Sequence, residues 1–154
     1  MVTARWNGEI TERLAGAAVA TAREAGATVE TFAVAGAFEL PAAVATLCDT
    51  GRYDAVVPIG CLIRGETSHF DFLAQAVATG LMSISLSYAS AVPFGVLTCD
   101  TPAQARERSG GRKGNKGAEA MEAALGMVAL RQAAASSQRR TARKASRAAA
   151  RSTS

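Results

Sequence analysis

The stretch IRGETSHFDF at residues 63–72 holds His69, the only histidine of the 154-residue chain. An imidazole has an ordinary pKa of about 6.5, so it can accept and donate a proton near neutral pH. A lone histidine can equally be a helix-cap or surface residue. Because His69 follows a glycine turn between a predicted strand and a predicted helix, its position favours a role in proton transfer.

The turn RGETS at residues 64–68 has the composition of an anion site. Backbone N–H groups at a helix N-terminus and the hydroxyls of Thr67 and Ser68 could together bind an anion. The same residues would also make an ordinary N-cap. Neither this turn nor GGRKGNKG at 110–117 fits the Walker motif, and GAFELP at 36–41 lacks the G-x-G-x-x-G spacing. We therefore do not expect ATP or NAD to bind.

Three aromatic residues are candidates for stacking on a flat heterocycle. Trp6, the only tryptophan, comes directly after the first predicted strand. It could stack on a ligand or cover the end of the sheet as part of the core, and the same two interpretations apply to Phe38 and Phe94.

Charged residues near two loops could complete a binding site. Glu39 lies between apolar neighbours, so its carboxylate needs a partner, either a helix N-terminus or a ligand N–H or hydroxyl group. Arg108 directly precedes the glycine-rich loop 109–117, Lys116 lies near its end, and both could bind a phosphate. The alternative for each is a solvated charge.

Composition excludes several classes of protein. With one histidine and three scattered cysteines (Cys48, Cys61 and Cys99), the chain offers neither a disulfide framework nor a recognisable metal-ligand cluster. No apolar run approaches the roughly 20 residues of a membrane span, and the first ten residues do not resemble a secretory signal. We expect a cytoplasmic protein without a metal site.

The positive net charge of +4 belongs to the C-terminal segment. Six of the 17 basic residues and none of the 13 acidic residues lie in 135–154, which leaves 11 basic and 13 acidic residues in 1–134. The six are Arg139, Arg140, Arg143, Lys144, Arg147 and Arg151. We divide the chain into a domain at 1–134 and a basic Ala/Arg/Ser-rich extension at 135–154, which we expect to be disordered.

Alternating strands and helices must position these residues. After a short apolar entry at 2–5, the pattern predicts strands over 28–34, 54–63 and 91–98. It predicts helices over 10–26, from His69 onward, after Pro102 and over 118–134, and within 36–51 a loop followed by a helix with Pro41 in its first turn. The stretch 81–88 alternates like a strand, but it continues the apolar face of the preceding helix and is interpreted as helix. The alternation indicates a parallel sheet with helical crossovers.

Polar residues follow each predicted strand. In open parallel sheets, ligands bind outside the carboxyl ends of the strands. We therefore expect one shared edge to hold the segments 6–7, 36–39, 65–69 and 98–100.

Five motifs together resemble the 6,7-dimethyl-8-ribityllumazine synthase family over about residues 2–134. They are ARWN (4–7), GAFELP (36–41), YDAVVPIGCLIRGETSHFDF (53–72), FGVLT (94–98) and ERSGGRKGNKGAEA (107–120). The resemblance implies a flavodoxin-like three-layer αβα sandwich with a four-stranded parallel sheet. It also implies a homopentamer or a 60-subunit capsid, with active sites between adjacent subunits and no cofactor.

The resemblance also assigns roles to individual residues. His69 matches the proton-transfer histidine, Trp6 the aromatic residue that stacks on the pyrimidine, and Phe94 an aromatic residue contributed across the subunit interface. Other positions match contacts to the ribitylaminouracil (Ala37, Phe38, Glu39, Cys61, Leu62 and Ile63) or to the phosphate of the second substrate (Gly65, Glu66, Thr67 and Arg108).

The implied reaction condenses 5-amino-6-(D-ribitylamino)uracil with 3,4-dihydroxy-2-butanone 4-phosphate and yields 6,7-dimethyl-8-ribityllumazine, phosphate and water. Two alternative functions are a non-catalytic flavin- or lumazine-binding assembly, which would need neither His69 nor Arg108, and polyanion binding by the basic extension.

Three features of the sequence depart from the family pattern. They are the few residues before the first strand, Pro93 directly before Phe94, and the extension after about residue 135.

Overall fold

The computed structural model describes the backbone of residues 1–152 and the side chains of residues 1–142. Strands and helices alternate along the chain, as the sequence pattern predicts. The strands are β1 (Val2–Ala4), β2 (Phe32–Val34), β3 (Pro58–Ile63), β4 (Gly95–Cys99), β5 (Ser109–Gly111) and β6 (Gly114–Asn115). The helices are α1 (Gly8–Glu24), α2 (Leu40–Asp49), α3 (His69–Ser87), α4 (Pro102–Arg108) and α5 (Lys116–Ser152), and a 3-10 turn covers Ala37–Glu39.

The first four strands form one parallel sheet in the order β2-β1-β3-β4. The strand β3 is buried over its first four residues, in keeping with its near-continuous apolar sequence. In register, Ile59 pairs with Gly95 and Ile63 with Cys99. The strand order is that of a flavodoxin-like sheet, so the predicted α/β fold is confirmed.

Helices cover both faces of this sheet and make it the middle of three layers. On one face, α1 and α5 contribute Leu14, Ala18 and Ala124 to a core with Ile59 of β3. On the other face, α2 and α3 contribute Leu40, Val44, Val77 and Leu81. Gly117 allows the start of α5 to approach α1, because a Cβ atom there would overlap the carbonyl group of Leu14.

Two predicted elements differ from the structure. The segment 109–117, predicted as a loop, contains an antiparallel hairpin of β5 and β6, in which Gly110 and Gly114 adopt positive φ angles of 115° and 74°. The extension from residue 135, predicted to be disordered, continues α5 as far as Ser152. Alanine and arginine are strong helix formers, and this propensity accounts for the continuation. The proposed boundary between 134 and 135 stays a prediction.

Helix α3 confirms the helical interpretation of 81–87 and has an unusual surface. Phe72, Met82 and Leu86 are exposed by 72%, 62% and 81%. By length and composition alone α3 could cross a membrane, since its mean hydropathy is 1.2. The sequence pattern had predicted no membrane span. Val77 and Leu81 of the same helix are buried against the sheet, so α3 is an integral layer of the domain.

Candidate active site

The carboxyl ends of β1 and β2 bring Trp6 and Gly36 together. The backbone N–H group of Trp6 donates to the Ala35 carbonyl oxygen at 3.0 Å, and this bond continues the pairing of β1 and β2 beyond their ends. A Cβ atom at Gly36 would lie 2.5 Å from Cε3 of Trp6, so the indole lies directly over the glycine. Trp6 is 65% exposed. This exposure excludes the interpretation of Trp6 as a core residue and leaves it available for stacking.

The 3-10 turn after β2 is held by Glu39. Its Oε2 atom accepts a hydrogen bond of 2.9 Å from the Gly36 N–H group. The carboxylate therefore has one of the two kinds of partner expected from the sequence, the N-terminus of a helical turn. Within the turn Ala37 is buried, whereas Phe38 is 57% exposed and free to contact a ligand.

The end of β3 is tied to the end of β1 through Asn7. The Asn7 side-chain amide donates to the carbonyl oxygen of Cys61 at 2.9 Å, while its own backbone adopts the left-handed conformation with φ of 58°. Leu62 and Ile63 are half-buried beside this bond. Burial, with a smaller contribution from Cys99, raises the pKa of the Cys61 thiol to about 12. The thiol is therefore protonated at neutral pH and is no nucleophile.

The turn that precedes α3 is open to solvent from Gly65 to His69. The Thr67 hydroxyl accepts a long hydrogen bond of 3.4 Å from the His69 N–H group. Ser68 occupies the N-cap position, but its side chain makes no capping hydrogen bond. The start of α3 therefore has one weak side-chain contact, which is compatible with an N-cap and leaves the exposed turn as a candidate anion site.

Arg64 links this turn to two other parts of the sheet edge. Its guanidinium forms a bidentate pair with Asp71 in the first turn of α3 and donates through Nε to Asp100 after β4 at 2.9 Å. The guanidinium carbon also lies 4.4 Å from the centre of the Phe70 ring. These contacts hold the strand end, the turn and the helix start in one arrangement.

Phe94 and Arg108 lie in a different place from the residues above. Phe94 precedes β4, so it is at the amino end of a strand whose carboxyl end is at Cys99. Five residues of strand correspond to about 16 Å at roughly 3.3 Å each. Phe94 and Arg108 line a cavity of about 350 Å³ along the edge strand β4, with Thr98, Lys116 and Glu119.

Lys116 in this cavity pairs with Glu119 at 2.7 Å, and Arg108 donates to the Gln104 carbonyl oxygen at 3.1 Å. The described residues that line the cavity include none from 6–7, 36–39 or 61–69. The parallel order of the four strands confirms the expected shared edge, and Phe94 and Arg108 line a cavity that meets this edge at Thr98 and Cys99.

Sequence reasoning gave no role to Asn7 or Arg64. Asn7 carries a local signal, since asparagine is enriched in the left-handed conformation. Arg64 carries none, because Asp100 lies 36 residues away along the chain. Across the side chains that the structure describes, no group of three His, Cys, Asp or Glu residues is close enough to hold a metal ion.

The chain is similar to known proteins over most of its length. Residues 1–132 match the family model described as 6,7-dimethyl-8-ribityllumazine synthase. A protein of that name from Corynebacterium glutamicum strain R is 51% identical over 127 residues, covering 81% of this chain and 79% of the relative.

Two further relatives carry the same name. The protein from Anaeromyxobacter dehalogenans strain 2CP-C is 46% identical, with 81% of this chain and 79% of the relative covered. The protein from Deinococcus radiodurans is 44% identical, with 81% and 83% covered. The chain belongs to the 6,7-dimethyl-8-ribityllumazine synthase family.

Proposed function

We propose that this protein is a transferase that condenses 5-amino-6-(D-ribitylamino)uracil with 3,4-dihydroxy-2-butanone 4-phosphate to form 6,7-dimethyl-8-ribityllumazine in riboflavin biosynthesis. The observation that carries the proposal is the grouping of Trp6, the Glu39 turn and His69 at the carboxyl edge of the sheet, in a chain of this family. The enzyme works in the cytoplasm without a cofactor.

The pyrimidine substrate binds over β1, β2 and β3. The exposed indole of Trp6 stacks on the ring, and the exposed Phe38 beside Ala37 and Glu39 contacts the ribityl side. The backbone of residues 61–63 borders the same space, where the Asn7 amide already fixes the Cys61 carbonyl group. Holding two substrates in a reactive geometry supplies much of the rate enhancement, since the reaction needs no strong nucleophile from the protein.

The phosphate-bearing substrate binds at the exposed turn Gly65–Thr67, which offers backbone N–H groups and the Thr67 hydroxyl. His69 follows immediately and accepts and donates protons while the imine forms and phosphate is eliminated. The positive charge of Arg108 binds the phosphate that departs. Phosphate binding by the turn Gly65–Thr67 and proton transfer by His69 thus occur within one short segment, and Arg108 adds its charge to the phosphate site.

The site is completed by a second copy of the chain. Phe94, about 16 Å along β4 from the carboxyl edge, cannot serve the same pocket as Trp6 of its own chain, whereas a neighbour can present Phe94 and Arg108. Contact between two different surfaces is heterologous, and such contacts form a ring when the rotation between neighbours closes on itself. The exposed apolar side chains of α3, at Phe72, Met82 and Leu86, give such a ring an apolar contact. We propose a homopentamer, alone or in a 60-subunit capsid.

Mixing two impaired variants tests this composite site. His69→Ala chains keep Arg108, and Arg108→Ala chains keep His69, so an interface between them can hold one intact site. Co-expressed at equal amounts, they should restore about a quarter of wild-type activity, because each side of an interface carries the required chain half of the time. Lumazine formation is measured at low concentration of the phosphate-bearing substrate, where loss of Arg108 chiefly raises KM.

The control is a pair of mixtures, in which each single variant is combined with chains that carry both substitutions, so that neither mixture can form an intact site. Activity of the mixed single variants at the level of these controls would contradict a site shared between copies. An Arg108→Ala effect confined to the KM of the pyrimidine substrate would contradict the role of Arg108 in phosphate binding.

A further inference from the structure

The C-terminal half of α5 separates from the body of the domain. Up to Ser136 the helix has buried or half-buried residues at helical spacing, from Met121 and Ala124 onward. From Ser137 to Ala142 every residue is exposed, including Arg139 and Arg140. The helical backbone continues to Ser152. We call residues 137–152 the basic segment. Its described side chains, at residues 137–142, are not covered by the rest of the chain.

The basic positions of this segment share one side of the helix axis by their spacing. At 100° per residue, they fall within an arc of about 140° and span about 18 Å along the axis. The positions are 139, 140, 143, 144, 147 and 151, of which the last four lie outside the described side chains.

No acidic residue of the same helix is near enough to neutralise these charges. The last acidic residue of the chain is Glu122, 17 positions before Arg139. On a continuous helix this separation is about 25 Å, well beyond the screening length of about 8 Å at physiological salt. The segment is therefore a concentrated positive charge attached to a domain whose residues 1–134 carry more acidic than basic groups.

We propose that residues 137–152 bind the phosphate backbone of RNA without regard to sequence. A linear array of cations matches a linear array of phosphates, and counterion release favours their association. Residues 135–154 contain no aromatic side chain that could stack on a base, so sequence recognition is not expected. The segment also lacks Trp, Phe and Leu, which an amphipathic helix needs in order to insert into a membrane surface.

Charge neutralisation sets the expected salt dependence. If all six cations contact phosphates of single-stranded RNA, log K falls against log salt with a slope of about −4 for one segment. Affinity should then drop by about 10²-fold between about 50 and 200 mM salt. An oligomer would display several copies and strengthen binding to long RNA, although the proposal for a single segment does not depend on it.

Two full-length variants separate charge from other features of the segment. In the first, all six basic residues are replaced by Gln, which preserves helix propensity and removes the charge. In the second, the five arginines are replaced by Lys, which preserves the charge. Binding of a short fluorescent RNA of mixed sequence is measured by anisotropy over a salt series, and vesicles containing anionic phospholipid are tested in parallel. Lumazine formation and circular dichroism check that each variant is folded.

Wild-type protein and the Lys variant should bind RNA with the steep salt slope, and the Gln variant should lose at least about ten-fold in affinity at low salt. A chain ending at Ala135 should behave like the Gln variant and keep its catalytic activity. Equal RNA binding by wild type and the Gln variant would overturn the proposal. So would binding to anionic vesicles without binding to RNA.

Discussion

Arg64 and Asp71 are joined by two nearly equal contacts, Nη1 to Oδ2 at 2.9 Å and Nη2 to Oδ1 at 2.8 Å. Arg64 comes directly after β3, and Asp71 lies in the first turn of α3. The pair therefore closes the turn that carries Glu66, Thr67 and His69. Since the planar guanidinium matches the carboxylate at two points, it fixes the direction in which the turn leaves the sheet.

Replacing Arg64 with Lys should weaken binding of the phosphate-bearing substrate. Lysine keeps the charge but cannot reproduce the two-point contact with Asp71 together with the third contact to Asp100. We expect the KM for that substrate to rise, by up to about 10²-fold if the turn moves by about 1 Å. Arg52→Lys is the matched control, because Arg52 is an exposed arginine whose guanidinium pairs with Glu30 at 3.6 Å and lies over the Tyr53 ring, away from the turn 64–69. A rise limited to the KM of the pyrimidine substrate would contradict this role.

The same pair predicts how stability depends on acid. The Arg64 hydrogen bond holds the pKa of Asp71 below its ordinary value of 3.8. A carboxyl group with a depressed pKa in the folded state stabilises that state above the unfolded pKa, and the contribution is lost as pH falls through the folded pKa. The difference in melting temperature between wild type and Asp71→Asn should therefore be largest above pH 3.8 and shrink below it. A difference that stays constant with pH would show that ionisation of Asp71 has no part in it.

The sequence was informative where the chemistry is local. The strand-to-helix turn at His69, the Pro41 start of α2 and the helical character of residues 81–87 all follow from neighbours within a few positions. The 109–115 hairpin escaped prediction because glycine-rich segments lack strand propensity, and its conformation depends on positive φ angles at Gly110 and Gly114.

Contacts between distant parts of the chain were out of reach. The Arg64–Asp100 bond and the Asn7–Cys61 bond span 36 and 54 positions, and no spacing rule indicates either of them. The resemblance assigns Phe94 to the site. The register of β4 shows that Phe94 lies at the amino end of the strand, away from the carboxyl edge, and the sequence alone does not indicate this. The helix continues after residue 135, where the composition predicts disorder, because alanine and arginine favour helix even without an apolar face to bury.

Gly36→Ala should damage binding of the pyrimidine substrate. The added methyl group would lie 2.5 Å from Cε3 of Trp6 and 3.2 Å from the Glu39 carboxylate, so the indole must move. We expect a higher KM for the ribitylaminouracil and an altered Trp6 fluorescence spectrum. Gly16→Ala is a suitable control, because a Cβ atom at that position meets nothing within 4 Å. Unchanged fluorescence and KM in Gly36→Ala would mean that Trp6 does not depend on this contact.

His69→Ala should lower kcat by about 10- to 10⁴-fold, the usual range for one acid–base group, while the oligomer stays intact. The low end of the range is compatible with the proposal because positioning of the two substrates also contributes strongly. Turnover is measured across a pH series, with particle size followed by light scattering. Wild-type turnover at every pH would assign His69 a purely structural role.

The most direct test of the proposed activity is to add both substrates to the purified full-length protein and follow the absorbance of 6,7-dimethyl-8-ribityllumazine together with release of phosphate. We predict that lumazine and phosphate appear in equal amounts, that each substrate is required, and that EDTA has no effect on the rate. Binding of the pyrimidine substrate without formation of lumazine would contradict the proposed activity and indicate a non-catalytic binding protein. Activity that is lost in EDTA and returns with a divalent ion would contradict the cofactor-independent mechanism.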